Sequence, residues 1–394
     1  MAHPQIITGR KSPMPDSENL HRIQIEQLKG VGNVSLELAE NQRAYVFIGE
    51  NGSGKTKILE AIFQLLFFYS SIAQKHARGS IVNRNTVVAL AISVGDLAID
   101  FRKTSLERHG GEAIERIVTD EQSLHDKPVI FIGSQLRGHV ESKQRSASIP
   151  LLGNHEERRR KYLQDVLAAM AGQFNSLGMK SELEQWFLQR AASANRYQKS
   201  RDERSIEIDT VLKLLHKVAG SVDPDFLEVT GNGRVLIKIN DQQVQLDHLS
   251  SGYSSILKIF QCIVAGYGAL TNESKLEQVP GVVILDEIES HLHVSWQARI
   301  IPLLKELFPN TQFYISTHSP LVLAQLHDGE AYSLKRNEFG VMCSAPIQSP
   351  NKSALIDILK QAFAIDLNAI KKASMSAASQ QQAKNALLKL LDEE

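Results

Sequence analysis

Cysteine is nearly absent: Cys262 and Cys343 are the two in 394 residues. Two thiols build neither a disulfide framework nor a zinc site, and they fit a reducing compartment, so a cytoplasmic location is expected. Net charge is absent too, because 44 Lys and Arg balance 44 Asp and Glu. No global field draws the chain to nucleic acid or to a membrane surface, so any such contact needs a local patch. Long apolar runs are also missing. The longest, residues 61–73, is interrupted by Gln64, Ser70 and Ser71 and is too short to span a bilayer. Residues 1–17 are polar, carry Pro4, Pro13 and Pro15, and lack the apolar segment of a signal peptide. What remains, 42% hydrophobic and 22% charged, is ordinary globular composition. The length allows one large core or two moderate ones.

Against that plain background one segment stands out. Val46-Phe47-Ile48 is an apolar strand that runs into Gly49-Glu50-Asn51-Gly52-Ser53-Gly54-Lys55-Thr56. The spacing G-x-x-x-x-G-K-[ST] is that of a phosphate-cradling loop. Gly49, Gly52 and Gly54 let successive backbone N–H groups face inward around phosphate oxygens. Asn51 and Ser53 complete that loop. Lys55 supplies a point charge for the β- and γ-phosphates, and Thr56 offers a hydroxyl to Mg²⁺. The following residues have a helical period, so the loop opens a helix whose N-terminus favours anions. Chance produces this pattern in a chain of this length roughly one per cent of the time. The flanking strand and helix make chance a worse account still.

Three later segments complete a chemistry. Leu249-Ser250-Ser251-Gly252-Tyr253 precedes an apolar-periodic run over 256–265. Val282-Val283-Ile284-Leu285 is a buried strand ending in Asp286 and Glu287. Residues 312–317 form a strand that delivers His318 into a loop before a helix. Asp286 can hold Mg²⁺ through its hydration shell, and Glu287 can orient a water for in-line attack on a γ-phosphate. His318 can report on that phosphate by hydrogen bond. Ser250, Ser251 and Gly252 at a helix start make a second phosphate-facing surface. Singly these are ordinary pieces: Ser-Ser-Gly is a common turn, and Ser-Thr-His-Ser-Pro reads as a helix N-cap. In this order behind a P-loop they read as one site.

In that order the motifs resemble the ABC-type ATPases, and most of all the stand-alone heads related to SMC, RecF and OLD proteins. The resemblance covers most of residues 21–335. It implies an α/β fold: an ABC-type P-loop head with a mostly parallel core sheet, an antiparallel β layer and a helical insertion. It implies ATP and Mg²⁺ as ligands, with Thr56 and Asp286 at the metal, Glu287 as catalytic base, His318 as switch histidine and Ser250–Gly252 as signature loop. It also implies a homo-oligomer in which ATP is sandwiched between two heads. The signature departs from the transporter form, with Ser251 where Gly is usual and Tyr253 where Gln is usual. The stretch from Glu287 through Glu289, His291 and His293 resembles the acidic loop of OLD-type heads.

Organisation along the chain follows. Residues 1–140 form the N-terminal half of the head, 141–222 a helical insertion, 223–345 the C-terminal half and 346–394 a helical tail. Strands are expected at 22–28, 34–38, 86–94, 97–102 and 129–132, with Gly95-Asp96 as a hairpin turn. The loop after residue 132 offers Gln135 as the glutamine that touches Mg²⁺, with Arg137 as a rival. The insertion carries a surplus of about four positive charges, densest at 158–161. A solvated helix face explains that run better than a nucleic-acid contact. Further strands are expected at 226–230, 234–239, 244–246 and 331–334, then a tail helical over 353–363 and 366–391.

OLD proteins carry a nuclease after the head. About sixty residues follow the strand after His318 here, without an acidic cluster for two metals. The resemblance therefore points to the ATPase components of bacterial anti-phage systems such as Septu, PARIS and retron-associated ATPases. On that reading the chain is a regulatory or scaffold ATPase that controls a separate toxic effector, a nuclease by expectation. The alternative is a repair or recombination ATPase that binds DNA directly. Nucleic acid stays open as a partner; a membrane does not.

Overall fold

The computed structural model describes residues 22–77, 87–94, 97–100, 105–109, 112–116, 125–138, 140, 151–170, 172–179, 183–194, 204–363 and 365–374. The Gly95-Asp96 turn, the N-terminal segment and the tail beyond residue 374 lie outside them.

One ten-stranded sheet organises the chain. Its order is Leu97–Asp100, Ala91–Val94, Arg22–Leu28, Gly32–Glu37, Met342–Pro346, Ala331–Arg336, Ala44–Ile48, Thr311–Ser316, Gly281–Leu285 and Val129–Ile132. The last five run parallel to one another, and every residue of Ala44–Ile48, Gly281–Leu285 and Val129–Ile132 is buried. Continuous burial is what a parallel core strand needs, since both faces are covered. The first four strands pair antiparallel and alternate in burial, so one face meets the core and the other is open.

The expected mostly parallel core with an antiparallel layer is therefore present, but as one continuous sheet. The join is Met342–Pro346, antiparallel to Ala331–Arg336 and parallel to Gly32–Glu37. Sequence reading places only tail helix after residue 334 and misses this strand. Its residues, Met-Cys-Ser-Ala-Pro, carry no clear alternation, and they become a strand because two neighbours offer unpaired edges.

Among the described helices, two lie in the core beside the sheet. Lys55–Phe68 is buried nearly all round and touches strands from both halves. Ser251–Thr271 is apolar and long enough to cross a membrane by composition, but 89% of its apolar window is buried as core. It packs on Val129–Ile132 and on the helices His155–Met170 and Ser205–Val218. The helices between residues 151 and 218 thus share the core of the head, with Leu163, Val166, Phe187 and Val211 in one cluster with the sheet.

The basic run at 158–161 is partly structural. Arg158 is buried and donates to the Gly153 carbonyl at 2.8 Å and to Asn272 Oδ1 at 2.6 Å. Arg159 donates to the Leu270 carbonyl at 3.2 Å. Both cations thus serve the C-terminal end of Ser251–Thr271, where carbonyls are left over. The helix ends at Met170 rather than near Phe174, which instead belongs to a short turn, Phe174–Ser176.

Candidate active site

The phosphate-loop residues sit where the strand Ala44–Ile48 meets the helix Lys55–Phe68. Gly52 and Gly54 are left-handed, at φ 82° and 86°. Gly54 is doubly constrained, because an added Cβ would stand 2.5 Å from Val31 Cγ2. Its left-handed backbone caps the helix without a side chain, and the first turn holds no acidic residue. The first N–H groups are thereby left to face the loop. Lys55 Nζ donates to the carbonyls of Gly49 at 2.9 Å and Glu50 at 3.1 Å. Burial pulls its ammonium below the ordinary lysine range, while the carboxylates of Asp286, Glu287 and Glu289 pull the other way.

Across the sheet, Asp286 is 1% exposed at the end of Gly281–Leu285. Thr56 Oγ1 lies 3.0 Å from each of its carboxylate oxygens. The contact joins residues 230 positions apart in sequence. Ser316 Oγ donates to Asp286 Oδ1 at 2.6 Å and accepts from Glu287 N–H at 2.7 Å. Arg137, fully buried, donates to the carbonyls of Gly133 at 2.8 Å and Glu287 at 2.9 Å, and also to that of Asp286. Burial lowers its guanidinium to about 10. These anchors hold Glu287 at φ 47°, a left-handed conformation costly for a residue with a side chain. Among the described residues its carboxylate meets one donor, Ser290 Oγ at 3.2 Å.

Gln135 is exposed and lines a cavity of about 430 Å³ that also holds Thr56, Lys57, Glu60, Ser134 and Asp286. Gly133 brings it there: an added Cβ would lie 2.2 Å from the Asn175 carbonyl. Arg137 points away from that cavity into backbone carbonyls. A second cavity, about 520 Å³, is lined by Gly49 to Ser53 on one side and by Lys335, Gln361 and Phe363 on the other.

His318 is half-buried, and Ser319 caps Pro320–Leu323 by accepting from Val322 N–H at 3.4 Å. The sensing and capping readings of that motif are compatible, since different residues carry them. Ser250 caps Ser251–Thr271 through Tyr253 N–H at 3.5 Å. Ser250 and Ser251 are exposed, Gly252 is half-buried against Trp296, and neither cavity at the phosphate loop includes any of the three. The structure therefore gathers Lys55, Thr56, Asp286, Glu287 and Gln135 and leaves the Ser250 loop outside. Sequence reasoning misses Ser316 and the anchoring role of Arg137. Both act through backbone or through another side chain, and no motif spacing signals that.

A glycine-bent loop over a helix start, joined to an acidic strand end in a parallel sheet, defines a P-loop ATPase fold. The chain belongs to the family described as AAA domain, putative AbiEii toxin, Type IV TA system, which matches residues 44–324. The Septu protein PtuA of Bacillus thuringiensis is 26% identical over 316 residues, 75% of this chain and 72% of that protein. The Septu protein PtuA of Bacillus mycoides (strain KBAB4) is 38% identical over 94 residues, 24% of this chain. The match spans 13% of that relative's length. Among solved structures, an SMC head bound to the C-winged helix domain of ScpA is 12% identical, with a TM-score of 0.44 over 83% of this chain and 97% of that one.

Proposed function

We propose that the chain hydrolyses ATP at the Lys55–Asp286 site and that the nucleotide joins two copies head to head. The carrying observation is the Thr56–Asp286 contact, which brings a hydroxyl and a carboxylate to one point beside the phosphate loop. An all-oxygen donor set of this kind suits a hard cation such as Mg²⁺, with Gln135 facing the same cavity. When bound, Mg²⁺ offsets charge on the β- and γ-phosphates. The residues do the rest. The backbone N–H groups of residues 52–56 and Lys55 Nζ hold phosphate oxygens. Glu287 accepts the proton of the attacking water. His318 reads the γ-phosphate. Ser250 and Gly252 of a second copy close the site from the other side, and the exposed Ser250 is free to do so.

The wider reading is a regulatory or scaffold ATPase of an anti-phage defence complex, controlling a separate effector, a nuclease by preference. The two Septu relatives support it. A head that is open or ATP-closed is a two-state element that a bound partner can sense. The division at residues 140, 222 and 345, with the tail as a docking element, belongs to this proposal, as does a cytoplasmic location. The reading as a DNA-clamping ATPase has less support, because Arg158 and Arg159 are spent on capping a core helix.

Native purification with identification of the companions tests the effector claim. A small protein held in stoichiometric amount is expected. Tight salt-dependent DNA binding without a protein companion overturns it. Sedimentation with a non-hydrolysable ATP analogue tests the dimer, and a monomer at saturating analogue refutes it.

A further inference from the structure

We infer that Glu289 is a positioning residue that ties the histidine loop to the acidic loop and so couples the nucleotide end of the site to the signature helix of the same chain. The inference rests on the ATPase reading above. One Glu289 carboxylate oxygen accepts from Thr317 Oγ1 at 2.6 Å, and the other accepts from His318 N–H at 2.6 Å. Both oxygens are thereby spent on the two residues that follow the strand Thr311–Ser316. Charge-assisted bonds this short are the strong kind. A second link runs parallel to them, from Ile288 N–H to the Ser316 carbonyl at 3.1 Å.

This geometry separates two carboxylates that look interchangeable in sequence. Among the described residues the Glu287 carboxylate meets one hydroxyl, Ser290 Oγ at 3.2 Å, which leaves lone pairs for a water. Glu289 has each oxygen held by a donor of its own chain. It is therefore the anchor rather than the base.

Beyond Glu289 the connection continues toward the signature. Leu292 N–H donates to the Glu289 carbonyl at 2.9 Å. Ser255 Oγ, on the signature helix, donates to the Ser290 carbonyl at 3.0 Å. An added Cβ on Gly252 would sit 3.3 Å from the Trp296 ring, a tight fit, and 3.5 Å from the His291 carbonyl, an ordinary contact. Tyr253 stacks edge-on against Trp296, with centroids 5.1 Å apart. A displacement of His318 on meeting a γ-phosphate is thus carried by Glu289 into the loop on which Gly252 and Trp296 rest.

Trp296 makes the coupling visible without turnover. The chain has one other tryptophan, Trp186, which Trp186→Phe removes from the signal. In that background a non-hydrolysable ATP analogue should shift Trp296 emission. Glu289→Gln puts an amide N–H against one of the two donors. It should bind the analogue within about threefold of the parent, lose the emission shift and drop kcat at least about tenfold with KM little changed. Thr317→Val removes one donor at nearly constant shape and should show a weaker form of the same defect. The double variant should be no worse than Glu289→Gln alone, the non-additivity expected of one linked unit. Thr317→Ser keeps the hydroxyl and should restore both readouts. An unchanged emission shift in Glu289→Gln overturns the inference. So does a kcat loss in Glu289→Gln with a wild-type-like Thr317→Val, which makes Glu289 a base. Failure of the parent chain to release phosphate refutes the ATPase reading instead, and the emission arm still decides the coupling.

Discussion

The loop at Lys55 and the loop at Ser250 look alike in sequence, each setting glycine beside a hydroxyl residue at a helix start. Their surroundings differ. Around Lys55 the supporting groups are buried and paired: Asp286 at 1%, Ser316 at 0% and Arg137 at 0% exposure. Around Ser250 the supporting contacts are a backbone cap, a tryptophan ring and a carbonyl, and the two serines face solvent. One end of the site is preorganised by the fold of a single chain, at the cost of a left-handed Glu287. The other end is a presented surface. On the proposed reading, in which a second copy supplies the Ser250 loop, this difference is the one expected between a half built by one chain and a half offered to another.

The strongest way to break the comparison is at the finished end. Lys55→Ala removes the cation that the Gly49 and Glu50 carbonyls now hold in place. Binding of a labelled ATP analogue, and with it all turnover, should be lost. Wild-type affinity in this variant would place the phosphates elsewhere. Glu287→Gln comes next. It keeps shape and backbone but removes the proton acceptor, so ATP should bind normally while hydrolysis slows at least about 100-fold. The ATP-joined dimer should then accumulate on size exclusion. Unimpaired turnover would identify another base.

How much of this is legible in the sequence divides along the same line. Lys55, Thr56, Asp286, Glu287 and His318 are readable because each stands at a strand end or helix start whose pattern is local. The core strands Ala44–Ile48, Gly281–Leu285 and Val129–Ile132 are readable as apolar runs, whereas their parallel pairing is what the family resemblance implies. Met342–Pro346 is not readable, since its strand character comes from two neighbours more than 300 and about ten residues away in sequence, Gly32–Glu37 and Ala331–Arg336. Arg137 is visible as a residue but not as an anchor, because the carbonyls that make it one stand 149 and 150 positions downstream, beside its local partner Gly133. Ser316 lies in plain view beside His318, yet what it holds is set by the strand pairing of Thr311–Ser316 with Gly281–Leu285.

The exposed end gives a smaller and more selective effect. Ser250→Arg should leave ATP binding to the single chain intact and reduce turnover about tenfold or more by blocking the second copy. An equal mixture of Lys55→Ala and Ser250→Arg chains should recover about a quarter of wild-type activity, because half the dimers are mixed and each holds one intact site of two. No recovery at any ratio, or normal turnover by Ser250→Arg alone, would show that the Ser250 loop does not act across an interface.

The smallest effect tests what holds the helix that carries Lys55. His125 is 3% exposed, and its Nε2 lies 2.9 Å from the Leu66 carbonyl near the end of the Lys55–Phe68 helix. Its backbone also bonds Tyr69 and Ser71 across that helix terminus. Burial pushes the imidazole down to about 4, so the folded chain favours the neutral ring. A depressed value means that the stabilisation is complete above the ordinary histidine range, near 6.5, and is lost as pH falls from there through about 4. The full linkage is at most about 3.5 kcal/mol, since each tenfold loss of proton affinity on folding is worth about 1.4 kcal/mol. Urea unfolding at pH 7 and pH 4.5 should show wild type losing more stability on acidification than His125→Gln, which cannot take up the proton but can still donate to Leu66. Catalytic constants at pH 7 should differ little between the two chains. Equal acid sensitivity would mean that the ring is already free to protonate in the folded state, and that the helix carrying Lys55 is held by its apolar packing alone.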